Sequence, residues 1–393
     1  MSGPLAGVRV LDLTRLFPGN YCTWLLSSMG ADVVKVEDPG AGDYMRDFGE
    51  QVDGQGGYNH LVNRGKRSVV ADLKTPEGVE ILLRLVDSAD VLVESFRPSV
   101  MERLGVGYDT LRARRPQLVY ANISGFGPAG PYADRAGHDL NYLAFSGLLD
   151  RLGPAGGDPV VPPVAVSDLV GGGLNTAVAV LGMLVRARSA GVGGRVDTAL
   201  AEGVALMPGN LMADLLSGVP QPGRGGGQYA GGSAAYNVYA LADGHVTVGA
   251  VEPQFWARMC ELLELPELAG ARDDPAADGM IRERLTARFA GLTREQAARL
   301  FADADACVEV VQSYEEMLAS EQAAAAGYLR RLDGVSMPLL APPFLLDGAR
   351  PPETVRAPHQ GEHSAEILRE AGYPADEIER LMSERIAAPR KAR

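Results

Sequence analysis

The first third of the chain alternates short runs of apolar, β-branched residues with longer segments of helical spacing, and this alternation limits the possible folds most sharply. The strand-like runs are 8–13 (VRVLDL), 31–36 (ADVVKV), 91–94 (VLVE) and 118–124 (LVYANIS). They are nearly apolar throughout, not at every second position, which is the pattern of strands covered on both faces. A Pro18-Gly19 turn and a helix over 21–29 follow the first run, and Gly30 ends that helix. A second helix opens at Thr75-Pro76-Glu77 and runs to about Ser88; Thr is a cap residue and Pro suits a first helical turn. Strands of this type joined by helices predict an α/β fold with a Rossmann-like parallel sheet.

Beyond that region the pattern predicts a long helix over 168–189 and a Gly-rich connection over 217–232. A hairpin is predicted from 236–239 and 245–248 around Ala242-Asp243-Gly244. The stretch 252–324 reads as mostly helical, 342–356 as Pro-rich and extended, and 364–385 as two short helices returning to the first domain. A chain of 393 residues exceeds what one hydrophobic core usually serves. The expected division is a large α/β domain over 1–210, completed by 331–393, a linker over 211–224 and a small α+β domain over 225–330.

The formal net charge of -13 sets an anionic surface field against nucleic-acid backbones and anionic lipid, so neither is an expected partner. Cys22, Cys260 and Cys307 lie far apart, as expected of reduced thiols in a cytoplasmic protein. The first residues lack the basic start and apolar run of a secretion signal. The apolar segment 168–185 is broken by Gly171–Gly173 and Asn175, which argues against a membrane span. The glycine runs 171–173 and 225–227 are not Walker or GxGxxG patterns, and no HExxH, paired CxxC or GxSxG pattern occurs, so a P-loop, a metal centre and a typical hydrolase elbow are not expected.

Of five histidines, His60, His245, His359 and His363 stand in polar or turn contexts that suit surface positions. His138 differs, lying in Ala136-Gly137-His138-Asp139-Leu140-Asn141-Tyr142 after a Gly/Pro-dense loop. Spacing alone fits a structural or capping histidine better than a catalytic one. Asp168 precedes Leu169-Val170-Gly171-Gly172-Gly173 and the long helix. As an N-cap it would be kept ionised by the helix amides and dipole, a state suited to a base or a nucleophile. The triple glycine would let a bulky ligand approach the backbone. Glu252, before Pro253 at a strand-to-helix junction, reads as a cap or solvated acid. Arg64, Lys66, Arg67, Lys74 and Arg97 form a basic set suited to an anionic ligand, and a solvated loop explains them equally.

Taken together, these segments resemble the family that comprises the class III CoA transferases and the α-methylacyl-CoA racemases. The likeness runs from Leu5 to about Pro358 and rests on the order of several motifs. They are Gly30-Ala31-Asp32-Val33-Val34-Lys35-Val36-Glu37, Asn63-Arg64-Gly65-Lys66-Arg67, Ala71-Asp72-Leu73-Lys74, Phe96-Arg97-Pro98, Ser124-Gly125-Phe126-Gly127, the His138 motif, Asp168 with its glycines, and 248–255.

The resemblance implies roles. In the transferases an Asp at the place of Asp168 is the nucleophile that carries CoA as a thioester. In the racemases that Asp and a histidine at the place of His138 are the acid/base pair, and a glutamate at the place of Glu252 partners the histidine. The presence of all three points to the racemase branch. It implies a thioester of 2-methylacyl-CoA as substrate, coenzyme A only as part of that substrate, and an interlocked homodimer. Ala71, Asp72, Leu73, Lys74, Arg67 and Arg97 would hold CoA, while Gly137, Asp139, Tyr142 and Tyr236 would face the substrate. Two departures stand out. Asp38 occupies a place where racemases often carry Arg, and Tyr236-Asn237-Val238-Tyr239 replaces Tyr-Asp-x-Tyr.

Overall fold

The structure, a computed structural model, describes residues 3–352 and 355–388. The chain forms two compact units: 1–146, 164–207 and the chain from Ala324 onward make the first, and 147–163 with 208–323 the second. The expected boundaries therefore move. The segment 211–224 opens inside a helix, Gly209–Leu216, instead of running as a free linker. Residues 147–163 join the second unit, where Arg224 binds Asp150 at 3.1 Å and the Gly157 carbonyl. Residues 324–330 belong to the first, since Leu329–Arg330 pairs with Leu339–Leu340.

The first unit is built on β1 (Arg9–Leu13), β2 (Asp32–Glu37), β3 (Arg67–Val70), β4 (Val91–Glu94), β5 (Val119–Ser124) and β6 (Gly194–Ala199). All pairings are parallel, in the order β3-β2-β1-β4-β5-β6. Successive strand residues go to opposite faces, and both faces are covered, which explains the continuous apolar runs. Val10, Val33, Val91 and Ala121 pack with Leu25 and Leu26 of α1 (Leu16–Ser28). On the other face Leu11, Val34, Leu92 and Tyr120 meet Ile81 and Leu85 of α2 (Pro76–Asp87) and the returning C-terminal helices Ser364–Glu370 and Ala375–Ser383.

Two strands escape the apolar pattern. β3 opens on a charged residue, and β6 is an edge strand whose Arg195 and Thr198-flanking Asp197 break the run. α1 begins at Leu16, so Pro18-Gly19 lies in its first turn and not in a separate turn. Pro is tolerated there because the first amides have no intrahelical acceptor.

Two helices carry the site. α3 spans Asp139–Phe145. α4 spans Ser167–Ala190, opening with a π-helical stretch over Ser167–Leu174. The glycines do not interrupt α4, which is long and apolar enough by length and composition to cross a membrane. Its Ala177, Val180 and Leu184 lie in the core beside α1. A Cβ on Gly171 would stand 2.8 Å from the Leu200 carbonyl oxygen, so it is protein backbone, not a ligand, that uses the space the glycine leaves.

The second unit holds the expected hairpin, Asn237–Ala240 antiparallel to His245–Val248, with Val308–Val310 added on the far side. Helices Pro253–Leu262, Asp278–Ala290 and Arg294–Phe301 cover it through Trp256, Met259, Leu285, Phe289 and Ala297.

Candidate functional site

In this strand order the chain leaves β1 towards one edge of the sheet and β4 towards the other. Connections that part in this way leave a crevice outside the carboxyl ends of the two strands, the usual place for a ligand in such folds. Two cavities open there, of 460 and 180 Å³, and both are lined by Arg15, just past β1, and Phe96, just past β4. A larger hollow of 690 Å³ beside Ser27, Gly65 and Pro351 is lined by none of the residues expected to act on a substrate.

The floor beneath the β1 turn is charged and dry. Lys35 Nζ lies 2.9 Å from Asp43 and 3.7 Å from Asp12, and Lys66 Nζ lies 2.9 Å from Asp12, all four side chains being fully buried. Burial alone would push the Asp12 carboxyl up; Lys35 and Lys66, with the Thr14 hydrogen bond, outweigh it and hold it below the usual range. For Lys66 burial wins over Asp12 and brings the amine down to about 8. Asp43 Oδ1 accepts the Leu16 N–H at 3.1 Å, fixing a left-handed turn at φ 62° that a leucine seldom adopts. The expected basic ligand set at 64–67 is thereby accounted for otherwise. Arg64 is buried over the Trp24 ring and donates to the Leu61 and Leu340 carbonyls. Arg67 is bound to Asp32 at 2.7 Å and Glu370 at 2.7 Å and lines neither cavity. His60, expected at the surface, is buried with its Nε2 3.0 Å from the Val52 carbonyl oxygen.

At the end of β4, Glu94 accepts the Phe96 N–H at 2.7 Å, Asn122 Nδ2 at 2.6 Å and the Tyr120 hydroxyl at 2.9 Å. Burial pushes its carboxyl up to about 7 despite these donors. This clamp sets the position of Phe96.

The larger cavity gathers His138, Asp168, Gly137, Tyr142 and Arg97. His138 caps α3 from an extended conformation; its N–H donates to Asn141 Oδ1 at 3.0 Å, which leaves the ring exposed on the cavity wall. Tyr142 donates its hydroxyl to the Gly137 carbonyl at 2.6 Å, and its ring lies where a Cβ on Gly125 would come within 2.5 Å. The glycine is needed for that close approach. Phe126, Phe145 and Tyr132 extend the aromatic wall, with ring centroids 5.2–5.6 Å apart.

Asp168 is not the N-cap that spacing suggested. It lies inside the first turn of α4, where its N–H donates to Asp139 Oδ1 at 3.0 Å and the Ser167 hydroxyl to the Asp139 carbonyl at 3.2 Å. Nor is it held ionised. Burial, and then the neighbouring Asp139 carboxylate, push its carboxyl up to about 7. Such a group exchanges protons readily at neutral pH.

Ala71, Asp72, Leu73 and Lys74 line the smaller cavity together with Val36 and Val100, giving an apolar slot with a charged rim. Asp38 stands on that rim and pairs with Arg15. Glu252 and Tyr236 belong to the second unit, Glu252 as the residue before helix Pro253–Leu262 and Tyr236 against the Tyr229 ring at 5.2 Å. Sequence reasoning passed over Arg15 and Arg135, which also lines the larger cavity. For Arg15 the usable signal was a basic residue directly after the first strand.

Comparison with known proteins agrees with this architecture. The family model "CoA-transferase family III" matches residues 5–364. An alpha-methylacyl-CoA racemase of Mus musculus is 37% identical over 97% of both chains. A succinate–glutarate CoA-transferase of Agrobacterium fabrum is 34% identical over 93% of this chain and 95% of its own. A crystal structure of a CAIB/BAIF family protein from Brucella suis superposes with a TM-score of 0.80 at 31% identity, covering 94% of this chain and 100% of that one. The chain is an enzyme of CoA-transferase family III.

Proposed function

We propose that this enzyme inverts the C2 centre of 2-methylacyl-CoA thioesters by moving a proton from one face of the carbon to the other. The observation that carries this reading is the pairing, on one cavity, of an exposed imidazole, His138, with a half-buried carboxyl, Asp168, pushed up to about 7. One group takes the α-proton and the C–H electron pair passes into the thioester enolate; the other group returns a proton to the opposite face. Each must serve as acid and as base, which suits a carboxyl pushed up to about 7. A nucleophilic carboxylate, as a transferase needs, would gain from a lowered value instead.

The enolate oxygen requires donors. The amides opening α3 at Asp139 and Leu140 have no intrahelical acceptor. Those opening α4 are already engaged, Asp168 N–H with Asp139 and Leu169 N–H with the Ala165 carbonyl. In this proposal the 71–74 slot takes the adenosine end of CoA, Glu252 is the third catalytic residue, and the enzyme is a cytoplasmic homodimer needing no metal or redox cofactor. Exposed Leu174, Val178 and Val185 on α4 support self-association.

The test is incubation with a (2S)-2-methylacyl-CoA in D2O without an acceptor acid. Exchange of the α-hydrogen with epimerisation is the expected result. No exchange, followed by CoA transfer once a carboxylic acid is added, would overturn it in favour of a transferase with Asp168 as nucleophile.

A further inference from the structure

We propose that Arg15 anchors the diphosphate of the CoA moiety at the junction of the two cavities, and that Asp38 holds the guanidinium in place until the phosphates displace it. This rests on the acyl-CoA reading above.

Arg15 and Phe96 line both cavities, so they mark where the two meet. The smaller one is an apolar slot of Leu13, Val36, Leu73, Phe96, Val100 and Leu104, suited to a flat base. The larger one holds the proton-transfer groups. A thioester that fills both with its two ends must pass its middle, the diphosphate and the start of the pantetheine arm, over the junction.

The junction is built rigidly. The Arg15 N–H donates to Ser95 Oγ at 3.2 Å, which ties the turn after β1 to the turn after β4. The next residue, Leu16, is fixed in its left-handed conformation by Asp43, itself held by buried Lys35. The side chain, by contrast, is free to exchange partners. Arg15 pairs with Asp38 while both side chains remain 34% exposed, and its guanidinium carbon stands 5.5 Å from the Tyr44 ring centroid. An ion pair so open to water is weak. A diphosphate offers the planar fork two or more charge-assisted acceptors in place of one carboxylate.

Electrostatics demand such a residue. Glu37, Asp38, Asp43 and Asp72 all line the smaller cavity. Glu37 is neutralised by Arg46 at 2.6 Å and Asp43 by Lys35 at 2.9 Å. Asp38 and Asp72 are left, against Arg15 and Lys74. An anion can enter only if Arg15 turns from Asp38 to the ligand.

The test is calorimetric binding of CoA, 3′-dephospho-CoA and pantetheine to the full-length protein and its variants. Arg15→Ala should weaken CoA and 3′-dephospho-CoA by the same factor, about tenfold to a hundredfold for lost charge-assisted bonds. Pantetheine, which lacks the diphosphate, should bind as before. Because the two side chains meet, Asp38→Arg added to Arg15→Ala should deliver a guanidinium to the same place and recover CoA binding. Unchanged CoA binding by Arg15→Ala would overturn the inference. So would equal weakening of pantetheine, which would mean a change of cavity shape, or weakening confined to CoA, which would move the contact to the 3′-phosphate. Failure of Asp38→Arg to recover binding would overturn the placement beside Asp38. A wild-type protein that binds none of the three ligands would instead strike down the acyl-CoA reading itself.

Discussion

Beneath the end of β1 four ionised side chains, Asp12, Lys35, Asp43 and Lys66, lie out of water and neutralise one another. A short way along the same sheet edge, Asp168 and Asp139 stand together with no ion-pair partner among the described residues. Burial acts on Asp12 and Asp168 in the same direction, yet their proton affinities move apart: Asp12 is held low by two lysines, and Asp168 rises to about 7. The difference separates architecture from chemistry. Paired charges fix the turn that carries Arg15 and Leu16; the unpaired Asp168 is left able to accept and release a proton.

Substitutions should split along the same line. The largest expected effect is on rate: Asp168→Asn should lower α-proton exchange about 10²–10⁴-fold, the usual contribution of a positioned acid/base group. The same variant should melt no lower than the wild type, because it removes a half-buried carboxyl that has no cation partner among the described residues. Lys35→Met should do the reverse. Removing one member of a buried ion pair leaves the other uncompensated, at about 3–5 kcal/mol of unfolding free energy. Urea denaturation and an exchange assay on both variants would break the comparison if Lys35→Met unfolded like the wild type or Asp168→Asn kept its rate.

These two regions also differ in how far the sequence disclosed them. The parallel sheet was legible because 8–13, 31–36, 91–94 and 118–124 are apolar on both faces, and a strand buried on both sides leaves little other reading. β6 was not, since an edge strand tolerates Arg195 and Asp197. His138 and Asp168 came to notice from their local contexts, but spacing could not tell a cap from a catalyst, and their roles came only from their place in a family motif. Lys66 was read the wrong way and Lys35 was given no role, whereas Lys74 does line the small cavity. Charge patterning treats Lys66 as surface or ligand-binding, and only the three-dimensional meeting of 12, 35, 43 and 66, distant in sequence, shows that their charges cancel. Arg15 was hidden for a related reason: its meaning depends on a crevice made by strand order, which no local window contains.

Asp139 offers a smaller and sharper test. It raises the proton affinity of Asp168 by like-charge repulsion, second to burial. Asp139→Asn keeps an oxygen that can accept the Asp168 N–H but removes the charge. The arm of the pH–rate profile that reports Asp168 should then shift to lower pH, with only a modest change in maximal rate. An unshifted profile would mean that burial alone sets the Asp168 carboxyl.

The smallest effect concerns stability against pH, where the two regions should pull in opposite directions. Asp168 has an ordinary value of 3.8 and stands at about 7 when folded, and Glu94 moves from 4.5 to about 7. Both keep a proton in the native state that the unfolded chain releases. Their contribution is therefore complete below about pH 4 and is lost as pH rises towards about 7. Asp12, held below its ordinary 3.8, works the other way: its contribution is present above about pH 4 and is lost on acidification. Denaturation midpoints at about pH 5 and about pH 7.5 leave out Asp12, which is ionised in both states at both values, while His359, lowered by burial, titrates alike in wild type and variant and drops out of their comparison. Asp168→Asn should shrink the loss of stability between those two conditions without removing it, since Glu94 still titrates across the same interval. If the variant lost as much stability as the wild type over that interval, Asp168 would not be carrying a retained proton, and its distinction from the paired carboxylates under β1 would fall.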